Sequence, residues 1–423
     1  MKILLVNTFD KGGAANSCVR LHNELLINNN SSLLLKNKTN HVPSSFTYYK
    51  NLPKTSRLIK IKNKLKKIIS NFFFSEKEQN KKMVLKNRSS GLDYFSFPET
   101  NYDITKTDLY KSADIINLHW VADFLDWKTF FKKNTKPVVW TLHDENPYLG
   151  GEHYNEKYFG IDDGGLPIER VYSDFEKKEI SRQLNYKKEI LKNISNIHIV
   201  SPSLWLLNSS KNSELFSKYP HYYIPYGYPV GIFKPYNKSL CREILDIPID
   251  KRVILFVSDS IKNSRKGFGY LKKAFENISN EYKNDLFLCA VGSNLEVNLN
   301  ENIIELGRIN DEKLMAMVYS ASDLFVIPSL YDNLPNTMIE SLLCGTPVIG
   351  FNIGGIPDVV IDQTTGYLCP EISVQSLKET IEKFLINPDI FDREKIAAIS
   401  KSKYASNIQA KNYIELYQRI LNK

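Results

Sequence analysis

The strongest limit on what this chain can fold into is a recurring pattern of short apolar runs, each entered from polar residues and left at a turn or helix start. In the first half these runs are 2–7 (KILLVN), 114–118 (DIINL), 137–142 (PVVWTL), 197–200 (IHIV) and 222–225 (YYIP). In the second half they are 253–258 (VILFVS), 286–291 (LFLCAV), 303–306 (IIEL), 324–327 (LFVI) and 347–351 (PVIGF). Short runs rich in Val, Ile and Leu read as strands buried on both faces, the habit of parallel sheets. Helix-length amphipathic segments such as 311–321 and 375–387 separate them, and such alternation builds α/β layers.

The pattern restarts at Val253, beyond a Pro- and Gly-rich stretch at 225–235 (PYGYPVGIFKP) that reads as a linker. A length of 423 residues suits two or three domains at about 150 residues each. We therefore expect an α/β protein of two doubly wound, Rossmann-like domains facing a cleft, over 1–225 and 226–401. The tail 402–423 holds a helix at about 402–421 that is a candidate to return to the first domain.

Hydrophobic content of 42% and charged content of 24% exclude a disordered chain. The opening MKILLVNTFDKGG is too short for a signal peptide, and no uninterrupted apolar stretch approaches the roughly 20 residues of a membrane span. The five cysteines (18, 241, 289, 344, 369) form no C-x-x-C pair. A reduced, cytoplasmic chain without structural disulfides or a zinc site is expected. The net charge of +9 is local: Lys54 to Arg88 carries twelve Lys/Arg and two Glu. This segment alone is +10, on an otherwise near-neutral protein.

Four motifs carry chemistry. The first, 7–17 (NTFDKGGAANS), follows a strand and opens a helix, so Gly12 and Gly13 permit close backbone approach of an anion or a sugar hydroxyl. It lacks the dinucleotide spacing G-x-G-x-x-G, which disfavours NAD; otherwise it is a tight strand–helix turn. The second pairs 117–120 (NLHW) with 141–154 (TLHDENPYLGGEHY) and places His119 and His143, the latter followed by Asp144, just after buried strands. Open α/β sheets put ligands there, although a strand-end His can equally be structural. In the third, Arg265 and Lys266 precede Gly267 at a loop-to-helix junction, where two cations suit a diphosphate or form a solvated basic turn. The fourth is 329–350 (SLYDNLPNTMIESLLCGTPVIG). There Asp332 lies in a turn whose N–H groups can hold oxygens, Asn336 or Thr337 can cap a helix, and Glu340 can accept from a ribose diol. Alternatively Asp332 only caps and Glu340 only pairs with a cation.

In this order the strand–GGAA–helix, 119-HW-120, 143-HD-144, 265-RKG-267 and the long stretch 332–360 (DNLPNTMIESLLCGTPVIGFNIGGIPDVV) resemble glycosyltransferase family 4. Those enzymes are retaining and have the two-Rossmann GT-B architecture. The resemblance covers about 1–50 and 90–415 and is strongest in the last motif; it looks closest to the bacterial surface-polysaccharide branch (capsule, exopolysaccharide, O-antigen). It implies a nucleotide-sugar-binding second domain and an acceptor-side first domain.

Carried onto this chain, the resemblance implies that Asp332 and the backbone of Asn333, Leu334 and Pro335 hold the transferred sugar, with Asn336 and Thr337 in the same donor site and Glu340 on the ribose. Arg265 and Lys266 would neutralise the leaving diphosphate. Gly12 and Gly13 would approach the diphosphate or the acceptor from the opposite domain once the cleft is closed, and His143 would bond the donor sugar. His119 and Asp144 fall on the acceptor side. No Asp-x-Asp motif stands out, so no obligatory metal or other cofactor is expected. Where the family's usual pair is Glu-x7-Glu, this chain has Asp332-x7-Glu340. Relatives often carry cysteines after the HD turn, and this chain has none in 151–167.

The partners implied are a UDP- or GDP-sugar donor and a glycan or lipid-linked glycan acceptor. In 57–74 (RLIKIKNKLKKIISNFFF) helical spacing of Leu58, Ile61, Leu65, Ile68 and Phe72 between lysines reads two ways. It is a membrane-surface helix, placing the protein on the inner face of the cytoplasmic membrane, or a helix packed on the first domain. No recognition motif accompanies the charge, which disfavours nucleic acid. The sequence leaves open a GT-B epimerase or phosphorylase, and a non-catalytic membrane-associated scaffold.

Overall fold

Alternation within the first apolar run decides the first layer. In β1 (Lys2–Asn7) Leu4 and Val6 enter one core while Ile3 and Leu5 enter another. A strand buried on both faces requires parallel neighbours and helices on either side, and the computed structural model of the chain provides both. It describes residues 1–28, 30–53, 78–89, 91–260, 263–293 and 302–422, so the basic helix expected at 57–74 lies outside the described residues. β1 pairs in parallel with β2 (Asn30–Leu35) and with β4 (Ile115–Leu118). β3 (Ser45–Thr47) extends one side; β5 (Val138–Thr141), β8 (Ile197–Ser201) and β9 (His221–Tyr223) extend the other. A separate antiparallel hairpin, β6 (Tyr158–Ile161) with β7 (Pro167–Glu169), projects from the loop between β5 and β8.

The restart at Val253 is a second parallel sheet. Its strands are β10 (Arg252–Ser260), β11 (Leu286–Ser293), β12 (Ile303–Gly307), β13 (Leu324–Ile327), β14 (Val348–Phe351) and β15 (Gly366–Cys369), in the order β12-β11-β10-β13-β14-β15. Both sheets therefore reverse direction once, beside β1/β4 and beside β10/β13, and that switch point is where α/β sheets bind ligands. The expected α/β class with two doubly wound sheets is what the structure shows. All five cysteines are buried and unpaired, and among the described residues no helix is long and apolar enough to cross a membrane.

The chain crosses between the sheets twice, and the crossings touch. Tyr228 N donates to Tyr404 O (2.8 Å), and Ser406 N donates to Tyr228 O (3.0 Å). Serving that pair, Ala405 is extended (φ −66°, ψ 138°), so the single terminal helix expected at 402–421 is instead two, Arg393–Tyr404 and Ser406–Leu421. The second packs its buried Tyr413, Leu416 and Tyr417 beneath β1 with Ile3 and Leu5, in the first domain's core. Its tyrosines also satisfy polar groups that the sheet buries: Tyr417 OH accepts from Asn117 Nδ2 (2.6 Å), and Tyr413 OH lies 2.8 Å from Thr141 Oγ1. Removing one partner of a buried hydrogen bond costs about 1–3 kcal/mol because the other is left desolvated. Tyr417→Phe is accordingly expected to lower the unfolding free energy by about that amount in urea melts, although residue 417 lies 300 positions from Asn117.

Candidate active site

The loops that leave β1, β4 and β5 face those that leave β10, β12 and β13 across a cleft of about 1020 Å³. Gly12 and Gly13 line it at the start of the helix Gly13–Asn28, which carries no acidic residue in its first turn. Its opening N–H groups have no partner within the helix, as at any helix start. On the far side Pro335, Asn336 and Thr337 line the cleft at the start of the helix Asn336–Leu343, and no side chain caps that start. The cap expected from Asn336 or Thr337 is therefore absent. Asn336 instead spans the cleft: Nδ2 donates to Gly13 O (2.9 Å), and Oδ1 accepts from Tyr228 OH (2.6 Å) and Ser17 OH (3.2 Å). Asn333 also crosses, accepting from Ser203 OH (2.6 Å) and donating to His143 O (3.1 Å). The buried side chain of Leu334 faces the cleft.

The turn that carries Asp332 sits on glycines. A Cβ at Gly354 would fall 2.0 Å from Asp332 O, and one at Gly355 would fall 1.7 Å from Asn333 O. Only glycine fits there, which accounts for the GG of 351–356. Gly267 likewise adopts φ +70° with Pro328 O where its Cβ would be, bringing Arg265 and Lys266 against the same turn.

The two cations differ in what they can offer a ligand. Arg265 is enclosed: it binds Asp93 (2.7 Å) and Tyr331 O (2.8 Å), approaches Asp332 (3.5 Å), and lies 4.3 Å over the Tyr154 ring. Lys266, with 27% of its side chain exposed, reaches Asp332 Oδ2 at 2.5 Å. Glu340 is buried; its Oε1 binds Arg20 Nη2 (2.8 Å) and its Oε2 accepts from Tyr319 OH (3.1 Å). Neither Arg20, Tyr319, Asp93 nor Tyr154 was indicated by the sequence. Arg20 lies on the helix that Gly13 opens, seven positions on, and a cation two turns into that helix was the one usable signal.

On the first-domain side the histidines form a chain. His119 Nδ1 lies 3.0 Å from His143 Nε2, and His143 Nδ1 lies 2.7 Å from Tyr226 OH. Burial lowers the pKa of His143 to about 4 against the pull of Asp144. Burial and then His143 hold His119 well below its usual value. Both rings are thus neutral at pH 7. His143 lines the cleft with both nitrogens engaged, so a bond to a sugar requires one of them to exchange partner. His119, expected on the acceptor side, lies behind His143 and does not line the cleft. Instead it borders a cavity of about 20 Å³, room for one water, where its Nε2 and Trp140 Nε1 have no protein partner.

Asp144 does line the cleft, held by Trp120 Nε1 (2.8 Å) and His153 Nδ1 (2.5 Å). The loop after it is organised without cysteines. Buried Lys187 ties down Asn146 O (2.5 Å) and Leu149 O (2.8 Å), and Glu145 accepts from Tyr148, Ser209 and Tyr331 hydroxyls. Burial brings the Lys187 pKa down to about 7, opposed by Asp144. Among the described residues no group of three or more His, Cys, Asp or Glu side chains converges as a metal site.

Glu156 titrates where it can be measured. Burial, and then the charge of Asp93, raise its pKa to about 7 despite Arg265. Between the unfolded value and about 7 the folded protein holds a proton that the unfolded chain has lost, so this group's contribution to stability falls as pH rises. The total is at most about 3 kcal/mol. Glu156→Gln, a mimic of the protonated acid, is expected to gain on the wild type in melting temperature from pH 5 to pH 8; a pH-independent difference would exclude this assignment.

Residues 237–404 match the family Glycosyl transferases group 1. A glycogen synthase of Treponema denticola is 28% identical over 262 residues, 57% of this chain and 50% of that protein. The curated relatives are matched over 16 to 50% of their own length. Among solved structures, sucrose-phosphate synthase from Thermosynechococcus elongatus aligns over 100% of this chain and 99% of its own at 19% identity and TM-score 0.68. Anabaena Alr3699/HepE in complex with UDP-glucose aligns over 99% and 100% at 15% identity and TM-score 0.64. The second domain of this chain thus matches Glycosyl transferases group 1, and the whole chain has the GT-B glycosyltransferase fold.

Proposed function

We propose that the chain is a retaining glycosyltransferase that moves a sugar from a UDP- or GDP-sugar to a growing, lipid-linked bacterial surface glycan. The observation that carries this reading is the convergence on one cleft of Lys266, two helix starts, Asp332 and Glu340. Helix starts and a lysine suit a diphosphate, and a buried carboxylate suits a diol. The complex of HepE with UDP-glucose, on the same fold, supports it.

In this reading the diphosphate lies between Lys266 and the N–H groups at Asn336 and Thr337, with those at Gly12 and Gly13 opposite. Charge develops on the leaving phosphate oxygen as its bond to the anomeric carbon breaks, and groups already aimed at that oxygen lower the barrier. The acceptor hydroxyl forms its bond to the anomeric carbon on the face that the phosphate leaves. Its proton passes to the departing phosphate oxygen, so no side-chain nucleophile and no resident cofactor is required. Arg265 acts at one remove, holding Asp332 and the turn in place. Asp144 and the indole of Trp120 face the acceptor side. A lipid carrier for the acceptor would bring the work to the inner face of the cytoplasmic membrane, and the charge of 54–88 supports that reading.

A panel of UDP, GDP and their sugars tests this directly. A true donor raises the melting temperature, with about 2.7 kcal/mol of added stability at a hundredfold excess over Kd, and no shift with any of them would sink the donor site. With the donor in hand, Lys266→Ala is expected to lower kcat about a hundredfold or more, and Glu340→Ala to act chiefly on donor KM. Full turnover to free sugar without an acceptor would point to an epimerase instead.

A further inference from the structure

Glu340 does not stand alone at the cleft. Arg20 reaches it from the first domain and simultaneously binds Glu312, with Nε at 3.1 Å and Nη2 at 2.6 Å from Glu312 Oε1, while the same Nη2 lies 2.8 Å from Glu340 Oε1. The guanidinium rests against Tyr228 and Phe233, 4.7 and 5.2 Å from their ring centroids. The two carboxylates are unequal: the Glu340 side chain is 10% exposed, whereas that of Glu312 is 39% exposed at the first turn of the helix Glu312–Ala321. All three residues line the cleft.

We propose that Arg20 and Glu312 are positioning residues of the nucleotide site, with Glu312 the carboxylate that retains Arg20 when a ribose diol engages Glu340. This rests on the donor reading of Glu340 given above. A buried guanidinium released by one acid must keep another, because an unpaired buried charge is strongly unfavourable. Glu312 already makes two of the three contacts, so Arg20 can give up Glu340 Oε1 without losing its counter-charge. The ribose hydroxyls then meet an acceptor that remains oriented by Tyr319 through Oε2. Without Glu312, Arg20 has Glu340 as its only acid and competes with the ribose for it. The arrangement also makes ribose capture depend on the first domain, since Arg20 belongs to the helix that Gly13 opens.

The experiment compares binding of UDP or GDP, whichever binds the wild type more tightly, with its 2′,3′-dideoxy analogue, by isothermal titration. It is run on the wild type, Glu312→Gln, Arg20→Met and the double variant, each checked for an unchanged circular dichroism spectrum, with Arg20→Lys as the conservative member. Glu312→Gln is expected to weaken the ribonucleotide about fivefold or more and to leave the dideoxy analogue unmoved. In the Arg20→Met background the same change is expected to have no effect. Equal weakening of both ligands, no weakening, or a loss that persists without Arg20 overturns the inference while leaving the donor site intact. Failure of the wild type to bind either nucleotide overturns the donor reading itself, and this inference with it. Because Glu312 is half-exposed, the comparison of the two ligands on Glu312→Gln decides the point even where an Arg20 variant does not fold.

Discussion

The two sheets could face each other in many ways, and the one they adopt turns on the side chain of Asn336. Its amide accepts twice and donates once in this place. The oxygen takes Tyr228 OH and Ser17 OH, and the nitrogen gives to Gly13 O. An aspartate would set a negative charge against that carbonyl. Through Tyr228, whose backbone pairs with Tyr404 and Ser406, the same side chain also ties the cleft to the crossing strands. The start of the first domain's helix, the start of the motif helix and the crossover are thus joined at one residue.

Electrostatics follows from that closure. Bringing the sheets together buries Arg20, Arg265, Glu340 and Asp332 at the seam, with Asp93 half-buried beside them, and buried charge is tolerated only when paired. Each cation of the seam accordingly carries acids from the opposite side: Arg20 of the first domain takes Glu312 and Glu340, and Arg265 of the second takes Asp93. Lys266 is the exception, more exposed than Arg265 and held mainly by Asp332, which leaves it the readiest to meet an incoming anion.

What the sequence made legible was local. Runs such as 2–7 and 324–327 are continuous in apolar residues, and their strands lie where expected. β2 escaped because it opens Asn-Ser-Ser; Ser31 is buried only because its hydroxyl meets His22 Nδ1 at 2.9 Å, a fact invisible to periodicity. β15 escaped because its buried Gly366 fits directly beneath Val348, and a glycine at a strand start reads as a turn. The site shows the same division. Asp332, Glu340, Lys266 and His143 were visible because they lie within motifs that follow buried strands. Their partners were not, because Asp93 lies 172 positions from Arg265 and Arg20 lies 320 from Glu340. A pair formed across a cleft leaves no periodic trace in either segment.

The aspartate at 332, where the pattern that this stretch resembles usually has glutamate, is best understood from its lysine. Lys266 Nζ and Asp332 Oδ2 are 2.5 Å apart, and both side chains open on the cleft. A side chain one methylene shorter keeps the carboxylate back against the turn, where Ser329 and Arg265 also approach it, and leaves the space in front of Lys266 to a ligand. A sugar diphosphate brings what each partner would lose on separating: phosphate oxygens for the lysine and hydroxyl donors for the acid. On the proposed donor reading, a free sugar offers the lysine no anion in exchange for Asp332, whereas a joined sugar and diphosphate offers each partner a replacement. The further negative charge of the diphosphate then falls to Lys266 and the helix starts, while Arg265 stays beside Asp332.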